Sequence, residues 1–261
     1  MHDPEARARA LARLYDLDLL DDPGDLDLYL ALAGRVGGPI LELATGSGRL
    51  AVPLAEAGYD VTGVDLDPAM LDRARAAADE RGRRIARRIR WVEADLRGLT
   101  LLDAGSYRLA IIGLNSLFLL RDRSEQAAAV ATLARHVTGG GLVVVDAWLP
   151  DADDLGRFDG RLMLEWVRVD PETGHHVTKT GAALHDHATG VVRLTTLFDE
   201  GRPGDAPIRW IREDRLRLIG TDELRAMAAE AGLVVETLAG GYDLEPLTPL
   251  SDRAVLVARK P

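Results

Sequence analysis

Hydrophobic positions along this chain follow two regimes, and the change between them falls near Pro150. Before it, short apolar runs alternate with stretches in which apolar residues recur every three or four positions. Pro39-Ile40-Leu41-Glu42-Leu43 is a run of the first kind, and Leu50, Val52, Leu54 and Ala55 after it keep helical spacing. Residues 61–65, 89–94, 107–113 and 142–146 repeat the strand pattern. The last of these is apolar almost throughout, as in a strand covered on both faces. Residues 67–81 and 124–136 read as helices; Asp67-Pro68 is a capping acid ahead of a first-turn proline. Strands alternating with helices at this spacing predict an α/β fold with a parallel, doubly wound sheet. Upstream, residues 5–14 and 25–36 read as helices joined by an acidic linker from Tyr15 to Gly24.

After Pro150, residues 162–170, 175–187, 191–200 and 208–219 are strand-like, with no helical stretch between them. Turn signals at Pro171-Glu172-Thr173-Gly174, Ala188-Thr189-Gly190 and Gly201-Arg202-Pro203-Gly204 separate them, which predicts an antiparallel β insert. Residues 221–231 then read as a helix capped by Thr221, and residues 233–238 and 254–259 as the last two strands. Their connection is too short for a crossover helix, so they pair antiparallel. The expected organisation is an N-terminal helical cap over 1–38, an α/β core over 39–150 and 220–261, and the insert over 151–219.

Composition narrows the function. The formal charge of −10 argues against a general nucleic-acid binder, which needs a basic footprint. The arginines between residues 81 and 90 read as the solvated end of a helix rather than an RNA patch. There are no cysteines, which excludes disulfides, zinc–thiolate sites and thiol nucleophiles. No apolar run approaches a membrane span, and the first residues lack an apolar signal core, so a cytoplasmic protein with no membrane partner is expected. The histidines at 175, 176, 185 and 187 lie in the insert, and no metal is expected at them.

Ligands of open α/β sheets lie at the carboxyl ends of the strands, and three such ends here hold suitable groups. The first is the turn Ala44-Thr45-Gly46-Ser47-Gly48-Arg49, where glycine allows close backbone approach and positive φ. The second is Asp65, whose carboxylate can accept from both hydroxyls of a ribose. The third is Asp95, placed to accept from an exocyclic amine, with the N–H of Leu96 beside it for a ring nitrogen. Together they describe an adenosine across the first three strands, the rest of the ligand pointing at the turn and at Gly113 and Asn115.

On these residues the chain resembles the class I S-adenosylmethionine-dependent methyltransferases over essentially its full length. Glu42-x-Ala44-x-Gly46-x-Gly48 is similar to the family's acidic-x-Gly-x-Gly-x-Gly loop, Asp65 to its ribose acid, and Ala94-Asp95-Leu96 to its adenine-binding turn. The resemblance implies a seven-stranded Rossmann-like sheet of order 3-2-1-4-5-7-6 with the last strand antiparallel. It implies S-adenosyl-L-methionine as cofactor, held by Tyr29, Glu42, Ala44, Thr45, Gly46, Gly48, Arg49, Asp65, Leu66, Met70, Ala94, Asp95, Leu96, Gly113 and Leu114. The Tyr15-Asp16-Leu17 opening and the insert further resemble bacterial small-molecule methyltransferases, among them amino-sugar N-methyltransferases and glycine N-methyltransferase. Two positions depart from the pattern. Ala44 replaces the usual first glycine, and Leu119 stands about where some relatives carry a histidine after the fourth strand.

A sulfonium is already activated, so its displacement chiefly needs an aligned and desolvated acceptor. The expected reaction is methyl transfer to N or O of a small molecule, with Tyr15 and Asn115 as the catalytic candidates near the methyl group. Trp148, Trp166, Trp210 and Tyr242 are candidates for an acceptor pocket, though for each taken singly packing in a core or interface is the readier account, since aromatics usually bury area. The insert is expected to form a lid over the acceptor, a homodimer surface, or both. Two alternatives stay open: a non-catalytic S-adenosylmethionine-binding regulator, and an NAD-dependent oxidoreductase. The second arises because Gly46-x-Gly48-x-x-Ala51 also fits the looser dehydrogenase fingerprint. Asp95 and the antiparallel last strand favour the methyl donor.

Overall fold

All four residues of the first strand, Ile40–Leu43, are buried, because it runs through the middle of a sheet that helices cover on both sides. The computed structural model describes residues 3–261. Its elements begin with α1 (Pro4–Asp18), α2 (Leu26–Val36), β1 (Ile40–Leu43), α3 (Ala51–Glu56), β2 (Val61–Asp65), α4 (Pro68–Glu80), α5 (Arg83–Ala86) and β3 (Ile89–Glu93). There follow β4 (Tyr107–Ile112), a 3-10 turn (Ser116–Leu119), α6 (Arg123–His136), β5 (Val137–Trp148), α7 (Ala152–Arg157), β6 (Met163–Val169) and β7 (His176–Asp186). The chain continues through β8 (Val191–Gly201), β9 (Ile208–Arg217), α8 (Thr221–Glu230), β10 (Val234–Ala239) and β11 (Arg253–Arg259).

These elements sort into two units. The core unit is residues 22–149 with 219–261, and the insert unit is the described residues up to 21 with 150–218. In the core, the strand order is β10-β11-β5-β4-β1-β2-β3, and β11 runs antiparallel to both its neighbours. Counting only core strands, that is the expected 3-2-1-4-5-7-6. Helices α2 and α3 bury Leu28, Tyr29, Leu32, Leu50, Val52 and Leu54 against Ile40, Leu109 and Val144. Helix α4 starts as its sequence requires, the Asp67 carboxylate accepting from the Ala69 N–H at 2.9 Å.

The insert unit is a four-stranded antiparallel sheet of order β6-β7-β8-β9. Helix α1 lies on one face, burying Ala10, Leu14 and Leu17 against Val177, Phe198 and Trp210. Each leucine so buried stabilises the unit by about 1.5–3 kcal/mol. The two N-terminal helices thus belong to different units, α1 to the insert and α2 to the core.

Three readings of the sequence need correction. Residues 15–18 are helical rather than linker, because Leu17 extends the buried stripe of Leu14 and the sheet engages the helix end. There, Lys179 Nζ and Trp166 Nε1 donate to the Asp18 carboxylate at 2.6 and 2.8 Å. The fifth core strand begins at Val137, not Leu142. Gly139, Gly140 and Gly141 are absorbed in a register shift against β4, and the Gly140 N–H donates to the Lys260 carbonyl at 2.8 Å. Thr221 is the first helical residue of α8, and Gly220 occupies the cap position without a side-chain bond. The short helices α5 and α7 lack a sequence signal long enough to reveal them.

Candidate functional site

The carboxyl ends of β1 and β2 meet through one side chain. Asp65, closing β2, accepts from the Gly46 N–H at 2.8 Å on one oxygen and from the Asp67 N–H at 2.9 Å on the other. It joins the glycine turn to the start of α4, and each oxygen retains a lone pair for a further donor. Burial raises its pKa. In the turn, Ala44, Gly46 and Gly48 have φ of 56°, 57° and 85°. A Cβ on Gly48 would lie 3.1 Å from Trp91 and 3.2 Å from Ala74, so this glycine serves the packing of strand against helix. Beside Asp65, Leu66 is 65% exposed, an apolar surface at the end of the sheet, and Met70 is half-buried on α4.

Beneath the turn, Glu42 is buried, and burial pushes its carboxyl up to about 7. The Thr45 hydroxyl donates to it at 2.6 Å. Arg49 turns to Asp25 instead, in a two-pronged pair at 2.5 and 2.7 Å. At the end of β3, Ala94, Asp95 and Leu96 are half-buried, and the Ala94 N–H donates to the Asp65 carbonyl at 3.0 Å. The Asp95 carboxylate is gripped by Arg97 through the guanidinium and the backbone N–H, the latter at 2.9 Å. Hydrogen bonds from the Arg97 side chain hold its pKa down to about 2.

A third group forms where β4 and β5 end. Asp146 is fully buried and accepts four hydrogen bonds. Tyr29 Oη at 3.3 Å and the Leu114 N–H at 2.6 Å reach one oxygen; Tyr242 Oη at 2.7 Å and Arg253 Nη1 at 2.6 Å reach the other. Leu114 and Asn115 both adopt left-handed backbone, with φ of 50° and 62°. For a side chain such as leucine that costs about 1–2 kcal/mol, so the turn needs bonds from outside itself. The Leu114–Asp146 bond is one, and the Trp148 N–H donating to Asn115 Oδ1 at 2.6 Å is another. Asn115 is left with its Nδ2 donors. A Cβ on Gly113 would lie 3.2 Å from Tyr29 Oη, a tight contact that the tyrosine would have to relieve.

The structure therefore brings Tyr29, Gly113, Leu114, Asn115, Trp148 and Tyr242 together around Asp146, and Glu42, Thr45, Gly46 and Asp65 around the glycine turn. Tyr15, Trp166 and Trp210 belong to the insert unit: Tyr15 is half-buried on α1, Trp166 stacks near Phe198 and under Arg168, and Trp210 is buried. Sequence reasoning gave no role to Asp146, Arg253, Asp25 or Arg97. Only Asp146 offered a signal, an acid closing an apolar strand. Among the described residues, no three histidine, aspartate or glutamate side chains gather as metal ligands would.

Comparison with known proteins decides among the nucleotide readings. Residues 40–141 match the model of a methyltransferase domain family. The chain is 27% identical over 266 residues to a cypemycin N-terminal methyltransferase of a Streptomyces species, the alignment spanning 100% of both proteins. It is 28% identical to dTDP-3-amino-3,4,6-trideoxy-alpha-D-glucopyranose N,N-dimethyltransferase of Streptomyces venezuelae, over 77% of this chain and 78% of the relative. Its fold is similar to that of the CcbJ methyltransferase from Streptomyces caelestis, with TM-score 0.75, 23% identity and coverage of 93% and 95%. Residues 40–141 carry a methyltransferase domain, and in sequence and fold the chain resembles the class I S-adenosylmethionine-dependent methyltransferases.

S-adenosyl-L-methionine is accordingly the cofactor of this methyltransferase. The core unit fits it: the turn carries glycine backbone at positive φ, Asp65 keeps acceptor capacity, and Leu66 exposes an apolar face next to it. When bound, the cofactor supplies the activated methyl group. The alternatives of a non-catalytic binder and a dehydrogenase find no support among these relatives.

Proposed function

We propose that this methyltransferase acts on an amine nitrogen of a small molecule, and that Asp65, Asp95, Leu96, Glu42 and the 44–49 turn hold its cofactor. The carrying observation is the engagement of the buried and half-buried acids around the carboxyl ends of the core strands. Asp146 receives four donors, Asp25 is paired with Arg49, Asp95 with Arg97, and Glu42 bonds Thr45. Asp65 is committed to the turn. None stands as a general base, and Leu119 occupies the place where a histidine would serve. A hydroxyl acceptor needs a base, whereas an amine that arrives neutral brings its own lone pair. By name one relative above is an N-terminal methyltransferase and the other an N,N-dimethyltransferase of an amino sugar nucleotide, which agrees with this reading.

In this scheme the protein aligns and desolvates rather than transfers protons. Asn115, its Oδ1 taken by Trp148, offers N–H donors to a polar group of the acceptor beside the reacting nitrogen. Trp148 and Tyr242 of the core unit supply contact surface. The sheet of the insert carries Leu164, Thr180, Leu197 and Ile211 in register across its four strands, three of them apolar. Leu164 is 62% and Ile211 43% exposed on the face opposite α1, and a second copy of the chain would cover them.

Formation of S-adenosylhomocysteine tests the reaction, using a 3-amino-sugar nucleotide, a peptide with a free N-terminus and their hydroxyl analogues. Turnover of an amine and not of its hydroxyl analogue is expected; faster turnover of the hydroxyl compound would sink the proposal. Asp65→Ala should weaken S-adenosylhomocysteine binding by 100-fold or more, since two charge-assisted hydrogen bonds of about 1.5–3 kcal/mol each are lost. Unchanged affinity by calorimetry would remove the ribose assignment.

A further inference from the structure

The fourth core strand ends in a turn that its own residues do not favour, and the groups that hold it are drawn from distant parts of the chain. Leu114 and Asn115 stand at positive φ in succession. Inside the turn, only the Ser116 N–H and hydroxyl bond back to the Gly113 carbonyl, at 3.2 and 2.7 Å. The Leu114 N–H points the other way, to Asp146. Asp146 is in turn set by Tyr29 of α2, by Tyr242 of the loop after β10 and by Arg253 of β11. The Arg253 guanidinium also lies over the Tyr242 ring, 4.7 Å from its centre, so the two donors to one carboxylate oxygen brace each other. A fully buried carboxylate is costly unless such donors surround it, and a sheet needing only packing at this point would carry an apolar residue.

We propose that Asp146 is a positioning residue, which through the Leu114 N–H fixes the 113–115 turn so that it meets the methionine half of the cofactor. This rests on the reading that the cofactor's adenosine lies over β1, β2 and β3 and its amino-acid end reaches β4. Asp146 touches neither cofactor nor acceptor; it acts through Leu114. Tyr242 and Arg253 keep its second oxygen occupied, so the first stays aimed at the turn. Nothing in the network touches the groups assigned to adenine and ribose, so its effect should divide the cofactor in two.

Calorimetry with S-adenosylhomocysteine and with 5′-methylthioadenosine, which lacks the amino-acid end, reads that division. Asp146→Asn is expected to weaken S-adenosylhomocysteine at least tenfold and leave 5′-methylthioadenosine within twofold. The Leu114 amide resonance, far downfield in the parent through its short bond to a carboxylate, should move upfield. Tyr242→Phe, a milder change that keeps the fold if Asp146→Asn does not, should weaken S-adenosylhomocysteine two- to fivefold and spare the shorter ligand. Parent-like binding of both ligands by the variants overturns the proposal. So does an equal loss of the two ligands, which marks a purely structural role. Failure of the parent protein itself to bind S-adenosylhomocysteine would overturn the cofactor reading on which the proposal stands, a result distinct from either.

Discussion

Ala44 shows at the scale of one residue why its family favours glycine there. Its φ of 56° is left-handed backbone, which a Cβ disfavours by about 1–2 kcal/mol. Replacement by glycine relieves that cost and adds a smaller one in the unfolded chain, so Ala44→Gly should stabilise by about 0.5–1 kcal/mol. A higher melting temperature with equal or tighter S-adenosylhomocysteine binding is expected; a lower one would show that the methyl group packs usefully. Glu42, two residues earlier, ties stability to pH. Its folded pKa of about 7 lies above the ordinary 4.5 because of burial. A raised pKa contributes stability that is full below the unfolded value and is lost as pH rises through the folded one. Over pH 4.5–7, about 3 kcal/mol should therefore drain away. Glu42→Gln keeps an acceptor for Thr45 and has no proton to lose. Urea unfolding at pH 5 and pH 8 should show a shallower decline for the variant than for the parent, and equal declines would mean that Glu42 ionises freely in place.

At the scale of elements, two glycines in regular structure should respond oppositely to the same change. Gly63 lies in β2 opposite Trp91, and a Cβ there would fall 2.7 Å from the indole and 3.0 Å from Thr45 Oγ1. Gly63→Ala should cost about 1–3 kcal/mol by overpacking. Gly34 lies in α2, exposed, its nearest obstacle the Tyr59 hydroxyl at 4.0 Å, and Gly34→Ala should gain about 0.5–1 kcal/mol. Thermal melts of the two variants shifting in the same direction would refute the pair. Elements were readable from the sequence where periodicity and end signals coincide, as at β2 and α4 with Asp67-Pro68. They were unreadable where a tertiary partner decides. Residues 15–18 look like acidic linker until Lys179 and Trp166 meet Asp18, and the three glycines of β5 look like a stop until Lys260 bonds the loop they form.

For the molecule as a whole, the α/β core and the separate antiparallel sheet follow from two kinds of hydrophobic spacing, which is why both were foreseeable. The site was foreseeable only in part. Asp65 closes β2 and Asp95 follows the end of β3, so position alone marks them. Asp146 looks the same in sequence, but its meaning comes from Tyr29, Leu114, Tyr242 and Arg253, whose convergence no local pattern encodes. The exposed row on the insert sheet makes its own prediction. Leu164→Glu together with Ile211→Glu should convert a dimer to a monomer in light scattering at micromolar concentration, with secondary structure unchanged. A monomeric parent protein would end the dimer proposal.

The antiparallel seventh strand of the core has a consequence for synthesis. β11 is the last strand in sequence, yet it lies between β5 and β10, and Arg253 on it is separated by 107 positions from Asp146. At roughly 5–20 residues per second, the ribosome would make the carboxylate some 5–20 s before its guanidinium partner. During that interval the growing chain holds a strand with one flank open and a charge it cannot bury. The nascent core must wait, with β5 unsealed, until β11 arrives to close it, and in that window a chaperone or a protease would find it.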